Sequence, residues 1–165
     1  MKTKIAVLLV FLIATTRVWA IEPMAKIITQ KNAPLIITSY SATYHEKDRF
    51  TPEGIHHEVE YKSATNRKIV AVQIGLVSFD VWNEFQDQTG GVSIEEISPG
   101  ASENGTWITR VYADFSFLTG FAYVSKVRFS DGTIWTADLD AIAKEMRKIE
   151  LDFDVQKLKD KPEKK

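Results

Sequence analysis

The sequence predicts an all-β fold, an antiparallel β-sandwich of about seven to eight strands followed by a C-terminal amphipathic helix. Short segments rich in Val, Ile, Thr and Tyr alternate apolar with polar residues, and turn signals separate them. After Ala137 the apolar period changes from two residues to about 3.6, which is typical of a helix facing a core. Strands do not alternate with helical patterns, so a parallel α/β arrangement is not expected.

The first twenty residues, MKTKIAVLLVFLIATTRVWA, have the pattern of a secretory signal peptide. Lys2 and Lys4 precede an apolar run over residues 5–14, and Ala20 provides a small residue before the expected cut. The run is shorter than the about 20 residues that a membrane span needs. An uncleaved anchor or a buried N-terminal helix is the alternative. We expect a secreted or periplasmic protein, cleaved after Ala20, with no stable membrane span after cleavage.

Three segments follow from this division: a signal peptide over 1–20, one β-sandwich domain over 21–138, and a helix with a charged tail over 139–165. Removing the three basic residues of the signal segment leaves 18 basic and 22 acidic residues, a net charge of −4. A mildly acidic chain without a basic run in its folded part is not expected to bind nucleic acid. With no cysteine, thiol nucleophiles, zinc-thiolate sites and disulfides are excluded.

Eight strands are predicted in chain order. One of them, IHHEVEYK, places Ile55, His57, Val59 and Tyr61 on an apolar face, and its other residues form a polar face. The longest, IVAVQIGLVSFDVW, contains Gly75, where a bend or bulge is expected. The others are MAKIITQ, LIITSYSATYHE, a short strand in GGVSIEEI, a strand around Trp107, FAYVSKVRF and TIWTAD.

The predicted helix lies in DLDAIAKEMRKIELDF, with Asp138 as its N-cap. Its apolar stripe consists of Leu139, Ile142, Met146, Ile149 and Phe153. The stripe would cover either the sandwich of the same chain or a surface of a partner, and the pattern leaves both open.

The stretch VRFSDGTIW predicts a hairpin with a two-residue Asp131-Gly132 turn of type I′. This turn would place Phe129 opposite Ile134 and Arg128 opposite Trp135, so that the guanidinium shares a face with the indole. Turn geometry explains Asp131 without a ligand.

Three segments, VEYKSATNRKIVAVQIGLVSFDVW, ISPGASENGTWITRVY and VSKVRFSDGTIW, resemble the layout of small immunoglobulin-like and fibronectin-like domains of bacterial exported proteins. The similar elements are residues 61–70, the Pro99-Gly100 turn and residues 131–133, within a resemblance over about residues 35–137. It implies an Ig-like sandwich in an exported setting, serving adhesion, assembly or recognition, and assigns no catalytic residue. The C-terminal helix and the missing disulfide depart from the pattern.

No catalytic or cofactor constellation is recognisable, so a non-enzymatic protein without cofactor or metal is expected. Neighbouring His56 and His57 would face opposite sides of a strand. His45 could approach either one across a strand pair to form a two-histidine metal site with Glu46 or Glu58, although the spacing matches no recognised motif. Solvated surface histidines are the simpler interpretation. No serine lies in a G-x-S-x-G elbow, and the Glu95-Glu96 pair faces apart on a strand.

Aromatic residues are concentrated in VYADFSFLTGFAYV. They supply either the interior between two sheets or an exposed patch that binds a partner. The candidate patch is Phe115, Phe117, Leu118 and Phe121. The function expected from the whole pattern is recognition of a protein or envelope component, and the alternative is a carbohydrate-binding domain whose exposed aromatic residues hold a glycan.

Overall fold

The computed structural model describes residues 23–111 and 116–159, and this part of the chain is mostly strand. The predicted signal segment lies outside the described residues, as does the end of the charged tail. The elements are β1 Met24–Ile27, β2 Leu35–His45, β3 Gly54–Ser63, β4 Ile69–Phe79, β5 Phe85–Ser93, β6 Ser102–Thr109, β7 Thr119–Phe129, β8 Ile134–Thr136, the helix α1 Leu139–Met146 and a 3₁₀ turn Val155–Leu158.

The strands form two sheets that pack face to face. The larger sheet has the order β1-β7-β4-β5, with β8 also paired to β7, and the smaller has the order β2-β3-β6. All strand pairs are antiparallel except β1 with β7. The all-β prediction is therefore confirmed.

One edge of β7 is shared by two short strands. β1 pairs with Thr119–Ala122 and β8 pairs with Lys126–Arg128. Between them the Gln30 side-chain amide donates to the Val124 carbonyl at 3.0 Å and accepts from the Val124 N–H at 2.8 Å. The amide thus takes the place of a strand peptide and satisfies backbone groups at a break in the ladder.

The main core lies between the sheets. In β3 the inward positions Ile55, Val59 and Tyr61 are buried and Glu58 and Glu60 are exposed, so the predicted alternation is confirmed. β2, β4 and β7 contribute the remaining layer. The main core consists of Leu35, Ile37, Tyr40, Val59, Tyr61, Ile69, Val72, Ile74, Leu76, Ile97, Ala122, Val124, Val127 and Phe129.

The outer face of the larger sheet carries a second core, covered at one end by the C-terminal segment. Ile142, Ala143 and Met146 of α1 are buried in the cluster that contains Val77 and Tyr123 of the sheet. The helix therefore packs on its own chain. Because β4 and β7 are covered on both faces, they read as nearly continuous apolar runs.

The helix is shorter than its apolar stripe predicts. Its N-cap is Asp138, as expected, with the carboxylate accepting from the N–H groups of Asp140 and Ala141. It ends at Met146, and Phe153 is buried from a turn beyond the helix, where its carbonyl accepts a bond from Arg147. Phe153, the last apolar residue of the stripe, is therefore buried by the turn after the helix and not by a continuation of the helix.

The predicted register of the β7–β8 hairpin is wrong by one residue. Val127 pairs with Trp135 and Arg128 pairs with Ile134. The Gly132 N–H donates to the Phe129 carbonyl, and Gly132 alone adopts a positive φ of 85° in the turn. This is a three-residue loop, a turn followed by a glycine in the left-handed region, and it moves Arg128 away from Trp135 to the opposite face.

Candidate functional site

Three connections meet at one end of the two sheets, which we call the loop end. They are residues 46–53 between β2 and β3, residues 80–84 between β4 and β5, and the described parts of the 110–118 connection between β6 and β7, residues 110–111 and 116–118. Register places them together, because Thr109 pairs with Ile55, and Phe79 pairs with both Phe85 and Thr119. Residues 112–115 of the third connection lie outside the described part.

The loop end displays the most exposed aromatic side chains of the described residues. Phe50 is 87% exposed and Trp82 is 77% exposed. The Arg49 guanidinium lies 5.4 Å from the centre of the Phe50 ring. Both aromatic side chains are therefore open to contact by a ligand or a partner.

A buried carboxylate fixes the loop that carries Trp82. One oxygen of Asp80 accepts from the N–H groups of Trp82 at 2.8 Å and of Glu84 at 3.0 Å. The other accepts from the Gln86 amide at 2.7 Å. Asn83 takes a positive φ of 63°, which closes the turn. The backbone that positions the indole is therefore set before any ligand binds.

The turn after α1 reaches the same end. The Phe85 N–H donates to one carboxylate oxygen of Glu150 at 3.2 Å, and Lys157 contacts the other at 2.7 Å. These bonds hold the exposed Leu151 next to the start of β5.

The predicted patch is not an exposed surface in the described residues. Phe117, Leu118 and Phe121 are only 3%, 8% and 5% exposed, and Phe115 lies outside the described residues. Phe117 packs with Ile55, and Phe121 contacts Phe79 edge to face at 5.9 Å. These three residues therefore belong to the interior of the fold, which was the alternative interpretation of the aromatic segment.

Sequence reasoning missed Trp82 and Phe50 as exposed residues. A usable signal was present, since Trp82 stands in DVWNE, where the apolar run of β4 stops at turn-forming residues. Phe50 likewise stands in EKDRFTPE, a polar connection. A large apolar residue inside a turn cluster has no strand face on which to be buried.

A hydrogen-bonded group inside the fold, which we call the polar layer, joins Tyr40, His57 and Thr109. The Tyr40 hydroxyl lies 3.0 Å from His57 Nδ1, and Thr109 Oγ1 lies 3.1 Å from Nε2. His57 is 1% exposed, so the expectation of a surface histidine is wrong there. Burial, with a smaller effect of His56, lowers the pKa of His57 to about 4, and burial raises that of Tyr40.

The other two histidines come together on the outer face of the smaller sheet. The rings of His45 and His56 are 4.4 Å apart and tilted by 35°. Within residues 23–111 and 116–159, no three His, Cys, Asp or Glu side chains are grouped to hold a metal ion.

Asp131 is a structural turn residue. Its carboxylate accepts from the Thr133 N–H at 3.0 Å and pairs with Arg67 at 2.6 Å. The bonds from Thr133, followed by the effect of Arg67, lower the pKa of Asp131 to about 2.

Comparison with known proteins defines an architecture and no more. No protein-family model matches the chain, and no curated protein matches it. One solved structure, a 1.85 Å X-ray structure of a hypothetical protein from Peptoclostridium difficile 630, is similar with a TM-score of 0.51 at 10% identity, covering 73% of this chain and 93% of that one. In the described part of this chain, no helix has the length and apolar character to cross a membrane.

Proposed function

We propose that this chain is an exported, non-enzymatic Ig-like β-sandwich that recognises a protein or envelope component through its loop end. The observation that carries the proposal is Trp82, an indole 77% exposed on a loop whose backbone is already fixed by Asp80. Tryptophan is enriched among residues that dominate binding energy at interfaces. A loop fixed in advance loses little conformational entropy on binding.

The strand connections support an Ig-like arrangement. The chain crosses between the sheets from β1 to β2, from β3 to β4, from β5 to β6 and from β6 to β7. Crossings of this kind, between sheets of three and four or five strands, are typical of Ig-like and fibronectin-like sandwiches. Three features depart from the Ig-like arrangement: the parallel strand β1, the covering helix α1 and the absence of disulfides.

The proposal is tested by crosslinking in the envelope fraction of the chain's own host, with a C-terminal tag. Trp82→Ser removes the proposed anchor, and Ile94→Ser is the matched control, because Ile94 is equally exposed but lies at the opposite end of the sheets. We expect one partner to be recovered with the unaltered chain and with the control, and lost with Trp82→Ser. Circular dichroism checks folding of both variants.

Equal recovery of the partner with Trp82→Ser would overturn the assignment to the loop end. Absence of any reproducible partner would overturn recognition of a protein component. In that case the second candidate function becomes the one to test.

The second candidate is glycan binding through the same indole. Trp82 is followed by the exposed polar residues Asn83 and Glu84, a combination that suits stacking on a sugar ring with hydrogen bonds at its rim. Co-sedimentation with insoluble polysaccharides distinguishes this candidate. Binding that is lost in Trp82→Ser and kept in Ile94→Ser would favour it, and no binding to any polysaccharide would remove it.

A further inference from the structure

The polar layer lies between two apolar clusters of different size. On one side is the main core, to which Tyr40 itself belongs. On the other is a small cluster beneath the loop end, which we call the satellite core, formed by Ile55, Val111 and Phe117 with Ala42 and Tyr44 packed against it. Thr109 ends β6 immediately before the 110–118 connection. The polar layer therefore lies between the main core and the loop end.

The layer also joins the two sheets. Tyr40, His57 and Thr109 come from all three strands of the smaller sheet. The Tyr40 hydroxyl reaches Gly120 of β7, where a Cβ atom would stand 2.4 Å from the hydroxyl oxygen and 3.2 Å from the Phe117 ring. The Tyr40 hydroxyl and the Phe117 ring of the satellite core therefore lie against the same point of β7.

Hydrogen bonding in the polar layer favours a neutral imidazole. A neutral ring has one N–H and one bare nitrogen, so it donates to one hydroxyl and accepts from the other. A protonated ring donates from both nitrogens, so the hydroxyl that had donated to the bare nitrogen loses its acceptor. Among the described residues, the Tyr40 and Thr109 hydroxyls have no bond except to His57.

Among the described residues that face the His57 ring, none supplies a negative charge that would stabilise the protonated form. β2 contributes Tyr40, whose pKa is raised by burial, β6 contributes Thr109, and β7 contributes Gly120. On its own strand, His56 acts against a second positive charge. A buried charge without a partner is strongly unfavourable.

From this arrangement we propose that protonation of His57 opens the satellite core, so that acid regulates binding at the loop end. The regulatory part rests on the proposed function, and the opening itself does not. The imidazolium would leave the interior and break its bonds to Tyr40 and Thr109. The packing of Phe117 and of the neighbouring Leu118 would then loosen, while the part of the main core beyond Tyr40 and the packing of α1 stay closed.

The size of the effect follows from the two protonation equilibria. Burial lowers the pKa of His57 to about 4, whereas a solvated imidazole in the open form has its ordinary value near 6.5. On these values, lowering the pH from 7.5 to 5 raises the ratio of open to closed satellite core about 30-fold.

Amide hydrogen exchange of the chain over residues 21–165 tests the opening, with rates corrected for intrinsic pH dependence. The reporter is the Leu118 amide, bonded to the Phe79 carbonyl next to Phe117, and the reference is the Ile97 amide, bonded to Ile69 at the opposite end. We expect protection of Leu118 to fall about 30-fold between pH 7.5 and pH 5 while that of Ile97 is unchanged. Unchanged protection of Leu118 would overturn the proposal.

Two variants identify the group responsible. His57→Gln keeps a donor and an acceptor but cannot be protonated, so it should abolish the pH effect on Leu118, and His56→Gln should preserve it. If His57→Gln does not fold, NMR titration of the unaltered His57 ring decides instead, since a titration midpoint near 6.5 would contradict a closed polar layer.

The regulatory part has its own readout. Partner recovery in the crosslinking experiment should be lower at pH 5 than at pH 7.5 for the unaltered chain, and equal at both values for His57→Gln. Exchange that responds to acid without any partner at either pH would leave the opening intact and refute the proposed function. Recovery that is independent of pH would refute the regulation alone.

Discussion

Single residues carry constraints in this protein that no strand pattern expresses, and Gly75 is the clearest. It is buried on β4, on the face that carries the second core, and a Cβ atom there would stand 2.2 to 2.6 Å from the Tyr123 ring. The expectation of a bend or bulge near this glycine agrees with the irregular β4–β7 register between Gln73 and Ile74. The contact that requires glycine, however, comes from a strand almost fifty positions away.

Gly75→Ala is expected to destabilise the fold by about 1–3 kcal/mol, because the Tyr123 ring is fully buried and cannot move aside. Gly90→Ala on the neighbouring strand is the matched control, since its Cβ would meet the flexible Gln73 side chain and its cost should be smaller. Urea unfolding of the two variants measures the difference. Equal stabilities would show that the Tyr123 ring adjusts freely.

His57 should make stability depend on pH in a defined direction. Because burial lowers its pKa to about 4, the unfolded chain binds the proton more tightly than the folded one. The contribution is complete above about pH 6.5 and is lost as the pH falls toward 4, with a loss of about 2 kcal/mol between pH 7 and pH 5.

Urea unfolding of the unaltered chain and of His57→Gln at both pH values isolates this contribution. The variant should lose about 2 kcal/mol less than the unaltered chain over the same interval. A variant with the same pH dependence as the unaltered chain would exclude His57 as the source.

At the level of elements, the sequence predicted which segments form strands better than it predicted how those strands pair. The β-strands and the N-cap at Asp138 were predictable because alternation and capping depend on adjacent residues. The hairpin register was not, because Asp-Gly fits more than one turn and the pairing of β8 with β7 settles which one forms. The end of α1 at Met146 was likewise unpredictable, since the apolar stripe continues past it.

Packing of α1 on the larger sheet predicts a measurable cost for truncating its buried side chains. Met146→Ala should destabilise the fold by about 2–4 kcal/mol, because Met146 is fully buried in the second core. Leu151→Ala, in the exposed turn beyond the helix, should change stability by less than about 0.5 kcal/mol. Thermal unfolding compares the two, and a negligible effect of Met146→Ala would mean that α1 is not docked.

For the whole molecule, the N-terminal pattern predicts export. If residues 1–20 are a cleaved signal, the mature chain begins at Ile21, two residues before the described part starts and three before β1. Mass spectrometry of the chain recovered from its host should then show Ile21 as the N-terminus. A chain beginning at Met1 would contradict cleavage after Ala20.

By itself the sequence determined the all-β class, the inward and outward positions of strands such as β3, and the start of the helix. These properties depend on neighbours within a few positions. Only the tertiary structure decided how the strands divide between two sheets, which aromatic residues are buried, and that Trp82 and Phe50 share one exposed end. Those outcomes depend on contacts between residues far apart in the chain, such as Tyr40 with Gly120 or Phe117 with Ile55, and no local pattern encodes them.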